Sequence, residues 1–105
     1  MYVVIVGAGK VGFFLAKRLN AGNNTVSIVE KDKSLCEDIA KQLDVLVIHG
    51  DGCEPQILEE AGAQRADVLA AVTGDDEDNL IVCQLAKERF GIQRSVGRVP
   101  HQRRP

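Results

Sequence analysis

Short runs of β-branched and other apolar residues alternate with amphipathic stretches along the whole chain, and this alternation restricts the fold more than any other feature. Strands are predicted at residues 2–6, 25–29, 45–48, 68–72 and 94–99, although Gly97 weakens the last of them. The stretches between these runs repeat apolar residues every three or four positions, as helices do. Because helical connections between parallel strands are right-handed in about 98% of cases, we predict a doubly wound α/β domain with a parallel sheet.

Helices are predicted between the strands from apolar spacing and from end signals. The first is expected from Lys10 to about Ala21, with a buried stripe of Val11, Phe14, Leu15 and Leu19 and with Phe13 off that stripe. Ser34 and Glu37 have the spacing of a capping box at the start of the second helix. Pro55 is well placed in the first turn of the third. The expected stripe of the fourth consists of Leu80, Cys83 and Ala86.

The composition excludes several classes of protein. The chain has 105 residues with 13 basic and 15 acidic side chains, which fits one domain, and its net charge of −2 argues against a general nucleic-acid binder. The longest strongly apolar run is far shorter than the roughly 20 residues of a membrane-spanning helix. The three cysteines are widely spaced, with no CxxC pair and no signal sequence, which favours the reducing cytoplasm.

Basic residues are concentrated at the end of the chain. Residues 94–105 contain Arg94, Arg98, Arg103 and Arg104 and no acidic residue. The alternatives are an arm that contacts phosphate or a partner, and a loose chain end; we favour the loose end. We therefore divide the chain into a domain at residues 1–99 and a basic tail at residues 100–105.

A glycine loop follows the first strand and opens the first helix. Residues 7–12 read GAGKVG, a GxGxxG pattern in which Gly7 permits a tight turn, Gly9 lets the backbone approach a pyrophosphate, and Gly12 allows close packing of helix and strand. Glu30 ends the second strand 18 residues after Gly12, close to where a carboxylate binds the ribose of a dinucleotide or adenosine. This carboxylate favours NAD over NADP, a preference that the adjacent Lys31 weakens.

Two further loops follow the third and fourth strands at their carboxyl ends, where open α/β sheets bind ligands. In the first loop, residues 50–53, two glycines leave room for a base and Asp51 can accept a hydrogen bond from an adenine amino group. The second loop, residues 73–76, reads TGDD and leads to Asn79. His49, Asp51 and Cys53 alternate and could in principle meet a metal, although coincidence is the better explanation in a glycine-rich loop, so no metal is expected.

These segments together resemble one family over nearly the whole chain. The resemblance is carried by residues 3–12 (VVIVGAGKVG), 29–32 (VEKD), 50–52 (GDG), 57–62 (ILEEAG), 66–67 (AD) and above all 73–77 (TGDDE) with Asn79. The chain is similar to the nucleotide-binding domain of the regulators of potassium conductance, also called RCK, KTN or TrkA-N domains. Ordinary dehydrogenases share the glycine loop and the acid but not the TGDDExN-like segment.

The resemblance implies a Rossmann-like sheet of order 3-2-1-4-5, truncated here after the fifth strand, because family members continue with another helix and strand. It also implies a regulatory module without catalytic residues that binds NAD(H) or an adenine nucleotide (ATP, ADP or AMP). Its implied partner is a membrane potassium channel or transporter of the Trk or Ktr type, at the inner face of the cell membrane. In the full-length context the family forms homo-oligomers, dimers or larger rings.

The implied site residues extend along the carboxyl edge of the sheet. Lys10 is placed near phosphate, Glu30 at the ribose, and Asp51 with Gly52 at the adenine. The distal phosphate or nicotinamide end is assigned to Thr73, Gly74, Asp76 and Asn79, with Arg98 near the ligand. The complete set of candidates is Gly7, Ala8, Gly9, Lys10, Val11, Gly12, Glu30, Lys31, Asp51, Gly52, Cys53, Thr73, Gly74, Asp76, Asn79 and Arg98.

Other functions remain open from the residues alone. An NAD-dependent oxidoreductase, or its cofactor-binding half, would share the glycine loop, but 105 residues leave no second domain for a substrate and neither His49 nor His101 is placed as a general acid. A methyltransferase that uses S-adenosylmethionine fits the TGDDExN-like segment poorly. A purely structural interaction module is the remaining alternative.

Overall fold

The computed structural model describes residues 1–98, and the chain forms a doubly wound α/β domain. The strands are β1 (Tyr2–Val6), β2 (Thr25–Glu30), β3 (Leu46–His49), β4 (Val68–Ala71) and β5 (Arg94–Gly97). The helices are α1 (Lys10–Ala21), α2 (Lys33–Gln42), α3 (Pro55–Glu60) and α4 (Asp76–Glu88), and a single 3₁₀ turn covers Ala63–Arg65. The bounds of β1 are those predicted, and the other strands differ from the predicted bounds by at most two residues at an end. Within residues 1–98, no helix has the length and apolar character that crossing a membrane requires.

The five strands form one parallel sheet of order β3-β2-β1-β4-β5, as predicted. β1 lies at the centre, and all but its first residue are buried because helices cover both faces. On one face, α1 and α2 enclose a core that contains Ile5, Ile28 and Ile39. On the other face, α3 and α4 enclose a core that contains Val4, Leu58, Leu69 and Val82. The chain reverses its winding direction between β1 and β4, so ligand-bearing loops meet at the carboxyl ends of these strands.

Helix α1 turns a different face to the sheet from the predicted one. Its buried residues are Gly12 and Ala16, Phe13 packs against the core, and Phe14 is 56% exposed. Val11 is exposed as well, whereas Leu15 and Leu19 are partly buried as expected. The prediction weighted large apolar residues, but the most closely packed positions of this helix are the small residues Gly12 and Ala16.

The start of α2 and the buried face of α4 also differ from the prediction. The capping box at Ser34 and Glu37 is wrong, because Asp32 is the N-cap and its carboxylate accepts hydrogen bonds from the backbone N–H groups of Ser34 and Leu35 at 2.8 and 3.3 Å. In α4 the buried residues are Asn79, Val82 and Ala86. Cys83 packs against this core, but Leu80 of the expected stripe is half exposed.

Strand β5 ends at Gly97 rather than at residue 99. Gly97 is part of the strand and does not break it. A Cβ at this position would lie 2.7 Å from the Cys83 Sγ atom, so the missing side chain lets β5 lie close to α4. The predicted end of the fifth strand at residue 99 and the predicted basic tail at residues 100–105 lie outside the described residues.

Candidate functional site

A cavity of about 430 Å³ opens at the carboxyl edge of the sheet. Four valines line its floor: Val6 and Val29 near the ends of β1 and β2, Val72 directly after β4, and Val82 in α4. Its walls are the glycine loop, the end of β2, the loop after β3, the loop after β4, and Arg98 beyond β5. Because the carboxyl ends of parallel strands meet at one edge, five separate segments of the sequence converge on this cavity.

The N-terminus of α1 faces this cavity without a side-chain cap. Helices α2 and α4 have Asp32 and Asp75 as N-caps, whose carboxylates accept backbone N–H groups of their first turns. Helix α1 begins after Gly9, which has no side chain to do so. The first N–H groups of a helix have no intrahelical partner and carry the positive end of the helix dipole. This end of α1 is therefore suited to an anion.

The glycines around the cavity fall into two groups. Gly7 has a φ of +112°, and a Cβ on Gly12 would lie 1.7 Å from the carbonyl oxygen of Gly7, so the fold itself requires both. Gly9 and Gly74 have no positive φ, and a Cβ on either would meet no atom within 4 Å. The fold therefore does not require glycine at these two positions, and both face the cavity.

Glu30 joins the glycine loop to the turn after β2. One carboxylate oxygen accepts the N–H of Ala8 at 2.6 Å, and the other accepts the N–H of Asp32 at 2.8 Å. Each oxygen keeps a further lone pair for a donor such as a ribose hydroxyl. Glu30 lines the cavity beside the glycine loop, and its binding to a ribose stays a prediction.

An ion pair links two walls of the cavity. The Lys31 ammonium, after β2, lies 3.5 Å from an Asp78 carboxylate oxygen in the first turn of α4. The pKa of Lys31 is raised, first by the charge of Asp51 and then by its hydrogen bond and charge interaction with Asp78. A hydrogen bond within the loop after β3 stabilises its conformation: the Asp51 carboxylate accepts the backbone N–H of Cys53 at 2.9 Å. The adenine side of the predicted site is thus rich in charge, with one lysine between two carboxylates.

The alternating His49, Asp51 and Cys53 do not converge on a point. The His49 ring lies 2.9 Å from the Lys31 carbonyl oxygen, while the Cys53 Sγ atom approaches the Asp78 carbonyl oxygen at 4.0 Å. Within residues 1–98 no group of three or more potential ligands is arranged to hold a metal ion. Desolvation by burial, with the charges of Asp51 and Asp78, raises the pKa of the Cys53 thiol to about 12, so the cavity holds a neutral thiol.

Most of the predicted site residues line the cavity. They are Gly7, Gly9, Lys10, Val11, Glu30, Lys31, Asp51, Gly52, Cys53, Thr73, Gly74 and Arg98. The structure does not place Ala8, Gly12, Asp76 or Asn79 on its wall. Asn79 lies behind the wall rather than on it: its side chain is fully buried, and its polar atoms bond to Thr73 and Arg98. Asp75 and Asp78 line the cavity where Asp76 was expected to.

Sequence reasoning missed Leu35 and Asp78 as lining residues. Leu35 lies in the first turn of α2, and Asp78 lies in the first turn of α4. A signal for both was present, since each follows a strand that ends at the carboxyl edge and each lies near a helix start. The sequence predicts the valines of the floor only as strand or helix core, because buried apolar residues give no sign in sequence of a cavity above them.

The fold and this site define a Rossmann-like α/β domain whose cavity lies at the glycine loop and the topological switch point. The model of the TrkA-N domain family matches residues 3–104. The chain therefore belongs to the TrkA-N family, as the resemblance implied.

Curated relatives carry potassium uptake names. The chain is 44% identical over 99 residues to a Trk system potassium uptake protein TrkA homolog of Methanothermobacter thermautotrophicus, covering 94% of this chain and 45% of that protein. It is 46% identical over 99 residues to another such homolog of Archaeoglobus fulgidus, covering 94% of this chain and 22% of that protein. The chain thus spans less than half the length of these relatives.

Solved structures include several similar domains. The Kef CTD of Shewanella denitrificans in its AMP-bound form superposes with a TM-score of 0.79 at 26% identity, over 92% of this chain and 58% of that one. The TrkA-N domain of the inner membrane protein ybaL of Escherichia coli gives a TM-score of 0.86 at 17% identity, over 95% and 73%. The GsuK channel bound to NAD gives 0.79 at 18%, over 94% and 18%. The matches to ybaL and GsuK are likenesses of fold.

Proposed function

We propose that this chain is a regulatory domain that binds NAD(H) or an adenine nucleotide (AMP, ADP or ATP) in the cavity at the carboxyl edge of its sheet. One observation carries the proposal: α1 begins uncapped at Gly9, next to free space in that cavity. An anion such as a nucleotide phosphate would complete this helix end, as Asp32 and Asp75 complete α2 and α4.

In the proposed pose the ligand extends along the edge of the sheet. Its phosphates lie at Gly9 with Lys10 nearby, its ribose hydroxyls donate to Glu30, and its adenine lies towards the loop at residues 50–53. A dinucleotide would reach further, to Thr73, Gly74 and Arg98. The cavity volume falls within the roughly 300–1,000 Å³ that is typical of small-molecule sites.

The relatives support both the ligand class and the partner. The Kef CTD binds AMP and GsuK binds NAD, according to their structures. Relatives of this chain are named as potassium uptake proteins, so we propose that the partner is a membrane potassium channel or transporter. The domain would lie in the cytoplasm at the inner face of the membrane, and it would form homo-oligomers as part of the full-length protein.

The proposed output is conformational rather than chemical, and we assign no catalytic residue. A nucleotide that binds one arrangement of subunits more tightly than another shifts their populations, and the transport partner responds to that shift. The ligand must have a different affinity for each arrangement, and groups at the distal end, near Thr73, Gly74 and Arg98, distinguish a mononucleotide from a dinucleotide.

The test is the thermal stability of the 105-residue chain with NAD⁺, NADH, NADP⁺, AMP, ADP and ATP. A ligand at 100 times its dissociation constant adds about 2.7 kcal/mol to the free energy of unfolding, which is several degrees in a domain of this size. The variant Gly9→Asp places a carboxylate at the N-terminus of α1, where free space accommodates it and where it repels phosphate. We expect this variant to fold and to lose the stabilisation by nucleotides.

Gly22→Asp is the matched control, because it makes the same change of charge at the other end of α1, and Gly22 has no positive φ. Its response to nucleotides should equal that of the unsubstituted chain. A folded chain that none of these nucleotides stabilises would contradict the proposed function. So would a Gly9→Asp variant that keeps the full response.

A further inference from the structure

Asn79 is one of two fully buried polar residues within the described part of the chain, and its side-chain amide is completely bonded. Its Oδ1 atom accepts the backbone N–H of Thr73 at 3.0 Å and the Thr73 hydroxyl at 2.7 Å. Its Nδ2 atom donates to the carbonyl oxygens of Thr73 at 3.2 Å and of Arg98 at 2.7 Å. An asparagine amide offers two donor hydrogens and an acceptor oxygen, and all of them are used here.

These bonds join two segments that are distant in sequence and that both line the cavity. Thr73 begins the loop after β4, and Arg98 directly follows β5. The backbone N–H of Arg98 also donates to the carbonyl oxygen of Ala71 at 3.0 Å. Both backbone polar groups of Arg98, its N–H and its carbonyl oxygen, are therefore hydrogen-bonded. Close packing of Gly97 on Cys83 brings β5 near enough to α4 for the Asn79 amide to reach Arg98.

We propose that Asn79 is a positioning residue that couples the distal half of the nucleotide site to the backbone leaving β5. A ligand group that contacts Thr73 or Gly74 acts on the loop that Asn79 holds, and the same amide holds the carbonyl oxygen of Arg98. This inference rests on the proposed function for the ligand, while the coupling itself is a property of the unliganded chain.

The coupling acts selectively on ligands according to their length. AMP, with its phosphate at Gly9 and its ribose at Glu30, ends before the loop after β4. A dinucleotide reaches this loop, so it depends on the position of Thr73 and Arg98. Loss of the Asn79 amide should therefore weaken binding of NAD⁺ much more than binding of AMP, which a general loss of stability would not do.

The test uses the variant Asn79→Asp, which has nearly the same shape but replaces the Nδ2 donor by an oxygen opposite two carbonyl oxygens. We expect calorimetry on the 105-residue chain to show a dissociation constant for NAD⁺ raised at least about ten-fold and one for AMP changed less than about two-fold. Ser27→Ala is the control, because Ser27 is the other fully buried polar residue within the described part of the chain and bonds to Tyr2 at 2.6 Å, away from the cavity. It should change neither constant more than about two-fold.

A second measurement needs no ligand. In hydrogen exchange of the unliganded chain, Asn79→Asp should speed exchange at the amide of Arg98 by at least about ten-fold relative to the amide of Gly7, which bonds to the Val29 carbonyl oxygen at 2.8 Å, because the new oxygen repels the Arg98 carbonyl oxygen. If Asn79→Asp does not fold, Asn79→Ser, which leaves out the donor to Arg98, should give the same selective pattern.

The outcomes separate the two proposals. An unsubstituted chain that binds neither nucleotide contradicts the proposed function, whereas the exchange experiment still tests the coupling. Equal losses of NAD⁺ and AMP affinity, or no loss of either, would overturn the role of Asn79. Unchanged protection of the Arg98 amide in the variant would overturn it as well.

Discussion

At the scale of single residues, glycine is present at different positions of this site for different physical reasons. Gly7 and Gly12 are required by the chain itself, because one has a positive φ and a Cβ on the other would strike a carbonyl oxygen. Gly9 and Gly74 have free space around the missing side chain. A GxGxxG pattern in sequence cannot separate these cases, because the separation depends on which atoms surround each Cα.

Cys53 gives a prediction at this scale that depends on pH. Its thiol has a pKa of about 12 in the folded chain, whereas an unperturbed cysteine ionises near pH 8.5. At pH 8 we expect iodoacetamide to alkylate Cys53 at least about a hundred-fold more slowly in the folded chain than in urea, since the thiolate is the reactive form. Mass spectrometry of digested samples measures this rate residue by residue.

The same pKa has a consequence for stability. The folded value lies above the unfolded one, so the neutral thiol contributes its stability in full below about pH 8.5, and this contribution is lost as the pH rises towards 12. The variant Cys53→Ser should remove this part of the decrease in the free energy of unfolding at alkaline pH, as measured by urea denaturation. Alkylation of Cys53 at the same rate in the folded and unfolded chain would contradict the raised pKa.

At the scale of elements, α1 shows how close packing can override apolar periodicity. The predicted stripe placed Phe14 inwards, yet small residues at positions 12 and 16 meet the sheet. Phe14 instead lies at the surface, with the Arg18 guanidinium 5.5 Å from the centre of its ring. Contact with a sheet at short distance selects Gly and Ala, which contribute little to a hydrophobic pattern.

Adjacent phenylalanines of α1 provide a matched pair of variants. Phe14→Ser should change the free energy of unfolding by less than about 1 kcal/mol, because an exposed ring and one exposed cation–π contact are lost. Phe13→Ser should lower it by about 2 kcal/mol or more, because Phe13 packs against the core that contains Ile39. Urea denaturation measures both. Equal effects of the two substitutions would mean that α1 has a different orientation on the sheet.

At the scale of the whole molecule, stability is concentrated at the centre of the sheet. β1 pairs with β2 on one side and with β4 on the other, and its residues after Tyr2 are buried. β5 pairs with β4 alone among the described strands, and its Val96 side chain is 60% exposed. Local opening costs less free energy where fewer buried contacts are lost.

Hydrogen exchange of the 105-residue chain should therefore follow the order of the strands. We expect the amides of Val4 and Ile5 to be among the slowest to exchange, and those of Ser95 and Val96 to exchange at least about ten-fold faster. Nuclear magnetic resonance or mass spectrometry with short fragments resolves this difference. Uniform exchange across the sheet would indicate that the chain opens as one cooperative unit without a weaker edge.

The sequence by itself determined the order of elements, the parallel sheet and the chemistry of its edge. These features depend on short-range patterns: β-branched runs, the glycine loop, Pro55 and an acid at the end of the second strand. Even the family was recognisable, because the TGDDExN-like segment is contiguous.

Tertiary structure decided which residues line the cavity and which are buried behind its lining and hold the lining residues in place. The sequence assigned Asn79 to the ligand because it follows the TGDD loop, but packing buries its amide and bonds it to Thr73 and to Arg98, 19 positions along the chain. Asp78 reaches the cavity and pairs with Lys31, 47 positions away. The direction of a helical side chain depends on how the helix lies on the sheet, and small residues at the contact set that orientation. Such orientations arise from contacts between distant segments, which no local pattern records.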